Sequence, residues 1–346
     1  MNYEVFAVFI VYFAIVLTVG FYFYKRSESM SDYFLGGRSM NPYVTALSAQ
    51  ASDMSSWLLM GLPGAVILFG LGEAWIGIGL AIGSYLSWLF VAKRLRKHSV
   101  VAGDSTTVPE FFSNRYNDRK GILRIMSAVI ILFFFTIYVA SGFKGCGLIL
   151  NTVVPDISLE IAMLVGAVII IGYTFMGGFK AVCWTDFFQG MLMLVAVVAV
   201  PLAAISALGG WDGVVANLDS VAFISGADEF LNIFHDGGTA LAAVTVLSLL
   251  AWGMGYFGMP HIVVRYMAIR HPDEIKISRR VSLIWIVIAL TAAILIGIIG
   301  RAYFPTTDFA ADGTAEQIFI SLAGALFTPL VAGVLFAAVM AAIMST

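Results

Sequence analysis

The chain has 346 residues, of which 60% are hydrophobic and only 12% charged, with a formal net charge of −2. Soluble globular chains run about half apolar and about a quarter charged, so an ordinary soluble domain, a disordered chain and a small disulfide scaffold are all excluded. The near-neutral charge gives nucleic acid no electrostatic footing as a partner.

A helix needs about 20 mostly apolar residues to cross a bilayer. Nine such stretches follow one another, near 4–24, 41–69, 73–95, 121–151, 158–176, 183–208, 236–268, 279–304 and 317–346. The first has no basic region before it and is followed by Lys25-Arg26. It is therefore a retained helix with its N-terminus outside, not a cleaved signal. Alternating from there, every Lys and Arg except Lys144 and Arg301 falls in an inside segment. The outside stretch 209–235 carries Asp212, Asp219, Asp228 and Glu229 and no basic residue. This asymmetry follows the positive-inside rule and supports the count of nine. The expected location is the cytoplasmic membrane, multi-pass, within a single transmembrane domain spanning 1–346. The chain stops at Met344-Ser345-Thr346, still inside an apolar run, which reads as a fragment or a chain cut short.

Two spans break the rules of a lipid-embedded helix. The second contains Ala49-Gln50-Ala51-Ser52-Asp53-Met54-Ser55-Ser56-Trp57, with Pro63 and Gly64 beyond. A carboxylate at a membrane-helix centre costs about 2.5–3.5 kcal/mol on the gentlest scales, so its presence points to function. The seventh contains Trp252-Gly253-Met254-Gly255-Tyr256-Phe257-Gly258-Met259-Pro260-His261. Its glycines spell G-x-G-x-x-G, but no strand precedes them and no βαβ unit surrounds them, so a dinucleotide site is rejected. The two spans lie five apart and so run in opposite directions. Paired broken helices in corresponding places mark a carrier built from inverted repeats, with its site near the midplane. Residues 4–24 are then an extra helix, 41–208 the first repeat and 236–346 part of the second.

Other residues carry smaller signals. Ser345 and Thr346 offer hydroxyls and the break near Ala51–Met54 offers carbonyls, the ligands a hard cation takes. Gly79 and Gly83 form a G-x-x-x-G packing pair. Tyr138 and Ser141 share a helix face, where Tyr138 fits either a cavity wall or the core. Cys146 and Cys183 fall near opposite membrane faces and do not bridge. His98, His235, His261 and His271 are scattered, and no H-E-x-x-H, G-x-S-x-G or C-x-x-C occurs, so the chain does not read as an enzyme.

Several strings resemble the sodium/solute symporter family: 32–39 (DYFLGGRS), 45–49 (TALSA), 51–55 (ASDMS), 57–65 (WLLMGLPGA), Trp252-Gly253, 255–258 (GYFG), Pro260-His261 and 344–346 (MST). The later ones look like its sodium/proline branch. The resemblance implies a LeuT-like five-plus-five inverted repeat with one extra N-terminal helix, its second repeat incomplete in this chain. It implies alternating-access uptake of L-proline with Na+ as coupling ion, and no obligate protein partner. It also implies a sodium site from carbonyls of Ala51, Met54 and Ala342 and hydroxyls of Ser345 and Thr346. Asp53 and Ser55 would serve sodium coupling, and Arg38 a cytoplasmic gate. Trp57, Tyr138, Trp252, Tyr256 and Pro260 would line the solute pocket. Gln50, Ser56 and Met259 depart from the proline-branch pattern, where glycine, glycine and glutamine usually stand. Symport of another small solute, and a sensory membrane domain of a signalling protein, stay open beside proline uptake.

Overall fold

A computed structural model describes residues 3–24 and 29–346, apart from the side chain of Met176. Lys25 and Arg26, which anchor the expected orientation of the first span, lie outside the described residues. Helix α1 (Tyr3–Tyr24) is apolar on all sides. The short α2 (Met30–Leu35) starts where Ser29 Oγ accepts the Asp32 N–H and ends at Gly36, which takes the left-handed conformation.

Helix α3 (Pro42–Met54) begins under Asn41, whose side chain accepts the N–H groups of Tyr43 and Val44, with Pro42 in the first turn. It stops at Ser55, a non-glycine residue at φ 48°. A tight turn, Ser56–Leu58, leads into α4 (Gly61–Phe69), and the chain bends by 70° across this break. The second expected span is thus one broken helix. Helix α5 (Ala74–Ser87) passes through a π-turn into α6 (Lys93–Val101), which carries the basic cluster. Helix α7 (Val108–Arg115) is a surface turn, and α8 (Ile122–Val153) is long and apolar.

Helix α9 (Leu159–Ala207) kinks at Gly178, whose φ is 61°. A Cβ there would press on Tyr33, so the close approach and the backbone angle both require glycine. The kink divides α9 into the two expected spans, near 159–175 and 177–207.

The acidic stretch near 209–235 is not plain loop. It holds α10 (Trp211–Asp219), α11 (Ala227–Phe230) and a hairpin of β1 (His235–Asp236) with β2 (Thr239–Ala240). The seventh span therefore starts at 243 rather than 236. Gly237 and Gly238, both at positive φ, turn the chain before α12 (Ala243–Ala251) begins. A second break, Trp252–Phe257, joins α12 to α13 (Pro260–Ala268) with a bend of 42°.

Helix α14 (Ile275–Tyr303) crosses the core. After α15 (Phe309–Asp312), the expected ninth span divides into α16 (Ile318–Leu326) and α17 (Pro329–Met344). The break has a plain cause: Pro329 lacks a donor and biases Thr328 to extended backbone. Among the described residues five helices are long and apolar enough to cross a membrane, or seven if each bent pair is one span. The apolar helices near 159–175 and 329–344 occupy the two remaining expected positions.

Glycines set how closely the broken helices approach. A Cβ on Gly83 would collide with the backbone of Gly253, and one on Gly253 with that of Gly79. The G-x-x-x-G pair of α5 thus seats the seventh-span break directly against its backbone.

Candidate functional site

The break after Met54 leaves the last carbonyls of α3 without helical partners. The C-terminal end of α17 meets it there. Ser345 Oγ donates to the Ala51 carbonyl at 2.8 Å and lies 3.0 Å from the Ala342 carbonyl. Thr346 Oγ1 donates to the Ala342 carbonyl at 3.1 Å. The Ser345 hydroxyl has one proton, so it serves one of its two carbonyls at a time and leaves lone pairs on the other oxygens unused. Four of the five expected sodium ligands are joined in this way. The fifth, Met54, closes α3 beside them, buried, with its carbonyl making no such contact. Among the described residues no three or more His, Cys, Asp or Glu side chains group together, so a cation here would rest on carbonyls and hydroxyls.

Asp53 faces the other broken helix. The Tyr256 hydroxyl donates to its carboxylate, and the Tyr138 hydroxyl donates to its backbone carbonyl at 3.2 Å. One residue therefore ties α3, α8 and the seventh-span break together. Ser55 Oγ accepts the Trp57 N–H at 3.2 Å and fixes the turn out of α3.

Outside this junction lies a cavity of about 380 Å³. Trp57, Trp252, Tyr138 and Met259 line it, with Asp53 and Ser55 at its floor. The two indoles lie 5.8 Å apart at 30°. Aromatic faces of this kind suit an apolar ring and a cationic amine. A second cavity of about 570 Å³ runs past His261 and Arg265 to Ser345 and Thr346. Ser55, Tyr138 and Ser141 line both cavities and form the wall between them. Two of the expected pocket residues do not line the outer cavity. Tyr256 is buried behind Asp53, and Pro260 starts α13 one position past Met259.

Arg38 lines neither cavity. Its guanidinium reaches Asp104 at 3.0 Å, Ser99 at 3.1 Å, the Met267 carbonyl at 2.7 Å and the Ser105 carbonyl at 2.8 Å. It thereby clamps the start of α3 to the ends of α6 and α13. The loop it grips is braced by Glu110, which accepts from the N–H and hydroxyl of Thr106 at 2.8 and 2.9 Å. Burial pushes the Glu110 carboxyl up, but the hydrogen bonds from Thr106 and Thr107 outweigh it and hold it below the usual range.

Sequence reasoning missed a buried ion pair. Arg265 Nη2 lies 2.8 Å from Asp186 Oδ2, and Ser48 Oγ bridges them, accepting from Arg265 Nε at 2.7 Å and donating to Asp186 at 2.6 Å. It crosslinks α3, α9 and α13. The signal was present: Asp186 is a carboxylate within an apolar span, as Asp53 is. Sequence reasoning also left out Lys144 and Glu316, which line the outer cavity.

Comparison with known proteins bears on the family and the fold. The model of the sodium:solute symporter family matches residues 33–346. Sodium/proline symporters of Staphylococcus aureus, among them those of strains JH9 and NCTC 8325, are 43% identical over all 346 residues. The chain spans 65% of the length of these relatives. A solved structure of a Na+-coupled sialic acid symporter, substrate-bound and outward-open, superposes with a TM-score of 0.80 at 21% identity. The match covers 99% of this chain and 71% of that one, and it shows a shared LeuT-like fold.

Proposed function

Because the chain belongs to the sodium:solute symporter family, we propose that it carries out sodium-coupled uptake of L-proline by alternating access. The observation that carries this reading is the meeting of Ser345 and Thr346 with the Ala51 and Ala342 carbonyls at the break in α3. The chain forms one transporter domain, with 4–24 as an extra helix, 41–208 as first repeat and 236–346 as part of the second. The N-terminus faces outside the cytoplasmic membrane.

Sodium enters from outside and settles among Ala51, Met54, Ala342, Ser345 and Thr346. It replaces hydroxyl-to-carbonyl hydrogen bonds with cation–oxygen contacts, so both hydroxyls turn their lone pairs inward. This pins α17 to the end of α3 and favours the form with a completed outer cavity. Sodium and solute then bind cooperatively, each by the same factor. Asp53 and Ser55 link the ion site to the cavity, since Asp53 holds Tyr256 and Ser55 shapes the turn to Trp57. Trp57 and Trp252 receive the pyrrolidine ring and its ammonium, Tyr138 closes the floor, and Tyr256 and Pro260 hold the second break in shape. The Arg38 clamp keeps the inner side shut until both ligands are in place. A potential of about 100 mV supplies about 2.3 kcal/mol per charge carried inward.

The test is radiolabelled proline uptake into proteoliposomes with and without an inward sodium gradient. Sodium-driven uptake blocked chiefly by unlabelled proline is the expected result. Sodium-driven flux of a different solute would keep the coupling and replace the substrate, with Met259 in the cavity wall as the first residue to examine.

A further inference from the structure

Lys144 is a basic residue in an apolar span that the sodium site, the aromatic pocket and the inner clamp leave unused. It lies on α8, six residues after Tyr138, or about 9 Å further toward the outer end at 1.5 Å per residue. Tyr138, Ser141, Lys144 and Leu148 recur at helical spacing and all line the outer cavity, so Lys144 belongs to the cavity wall. Glu316 lines the same cavity from the turn before α16, which packs on Gly64 of α4. Among the described residues neither Lys144 nor Glu316 forms an ion pair. The cavity wall thus carries an unpaired ammonium at Lys144 and an unpaired carboxylate at Glu316 beside the two indole faces.

We propose that Lys144 receives the carboxylate of the entering solute and restricts the carrier to solutes with an anionic end. This rests on the uptake reading above and specifies the chemistry of its pocket. The two ends of an amino acid then find opposite partners, the carboxylate at Lys144 and the ammonium at Trp57 and Trp252. A lysine that merely snorkels to the headgroups would be indifferent to the solute's charge.

The experiment compares wild type, Lys144→Met and Lys144→Arg in proteoliposomes, with L-proline as substrate and L-prolinamide as uncharged-carboxyl competitor. Lys144→Met is expected to raise half-saturating proline about tenfold, as loss of a charged hydrogen bond would. Its sodium half-saturation and its weak inhibition by prolinamide stay unchanged, and Lys144→Arg recovers most of the affinity. Unchanged proline affinity in Lys144→Met, with wild type active, would overturn the inference and leave the uptake reading standing. Should wild type take up no proline, that reading fails. The same variants are then compared by thermal stabilisation with lactate, acetate and nicotinate against the corresponding amides. A carboxylate preference that disappears in Lys144→Met supports the inference, and no preference in wild type overturns it.

Discussion

Asp53 accepts hydrogen bonds from tyrosines on two other elements, lines the smaller cavity, and makes no ion pair among the described residues. Its charge is therefore available to a cation arriving at the α3 break. Asp53→Asn keeps the shape and the Tyr256 contact but removes that charge. Half-saturating sodium in uptake assays should rise at least about tenfold, while maximal proline flux at high sodium falls less. Ser345→Ala should act in the same direction with a smaller shift, because one neutral ligand is lost rather than a charge. Unchanged sodium affinity in both variants would remove the ion site from this corner of the molecule. Asp53 was legible in the sequence because a carboxylate in lipid demands a reason. Its partners were not, since Tyr256 lies 203 residues away and nothing local states the distance. The same rule applies to Asp186, which the sequence reading passed over, and its neutralisation by Arg265 becomes visible only once α9 and α13 are side by side.

At the scale of elements, both breaks in the second and seventh spans follow from local chemistry. Ser55 at φ 48° ends α3, and the Gly-Pro-rich run ends α12. The break before Pro329 followed from the same chemistry, yet the long apolar run around it concealed two helices in one stretch. The hairpin at 235–240 was harder to read, because two-residue strands carry no alternation. Packing gives a sharper test. Gly83→Val puts a branched side chain where the Gly253 backbone already sits. The variant should lose about 1–3 kcal/mol or more of stability, read as a lower unfolding temperature in detergent. Gly324→Ala is the control, since nothing lies within 4 Å of a Cβ there inside α16, and it should hold that temperature or raise it slightly. Ser55→Gly should retain the turn and lose only the hydroxyl contact to Trp57, whereas Ser55→Ala keeps the strained φ and loses the contact as well. Ser55→Ala is thus the less stable of the two.

At the scale of the whole molecule, charge decides which way the machine faces. Lys93, Arg94, Lys97 and the Arg38 clamp share one face with Arg270 and Lys276, and the acidic stretch around Asp228 belongs to the opposite end of the helices. By the positive-inside rule this asymmetry predicts which end of the helices faces the cytoplasm. Single cysteines report it cleanly because the native Cys146 and Cys183 are fully buried. In right-side-out vesicles an impermeant maleimide should label Tyr3→Cys and Asp228→Cys and spare Lys97→Cys. All three positions are exposed, so access to one side of the membrane is the variable measured. Adding sodium and proline should leave this pattern unchanged, because none of the three positions lines a cavity. A cysteine at Ser141, in the wall between the two cavities, should instead change its labelling when both ligands are present. Ligand-dependent labelling at Ser141→Cys, with the two outer markers constant and Lys97→Cys still spared, would show that the wall between the two cavities responds to the ligands. Constant labelling everywhere would mean that this wall does not move, and alternating access through it would have to be abandoned.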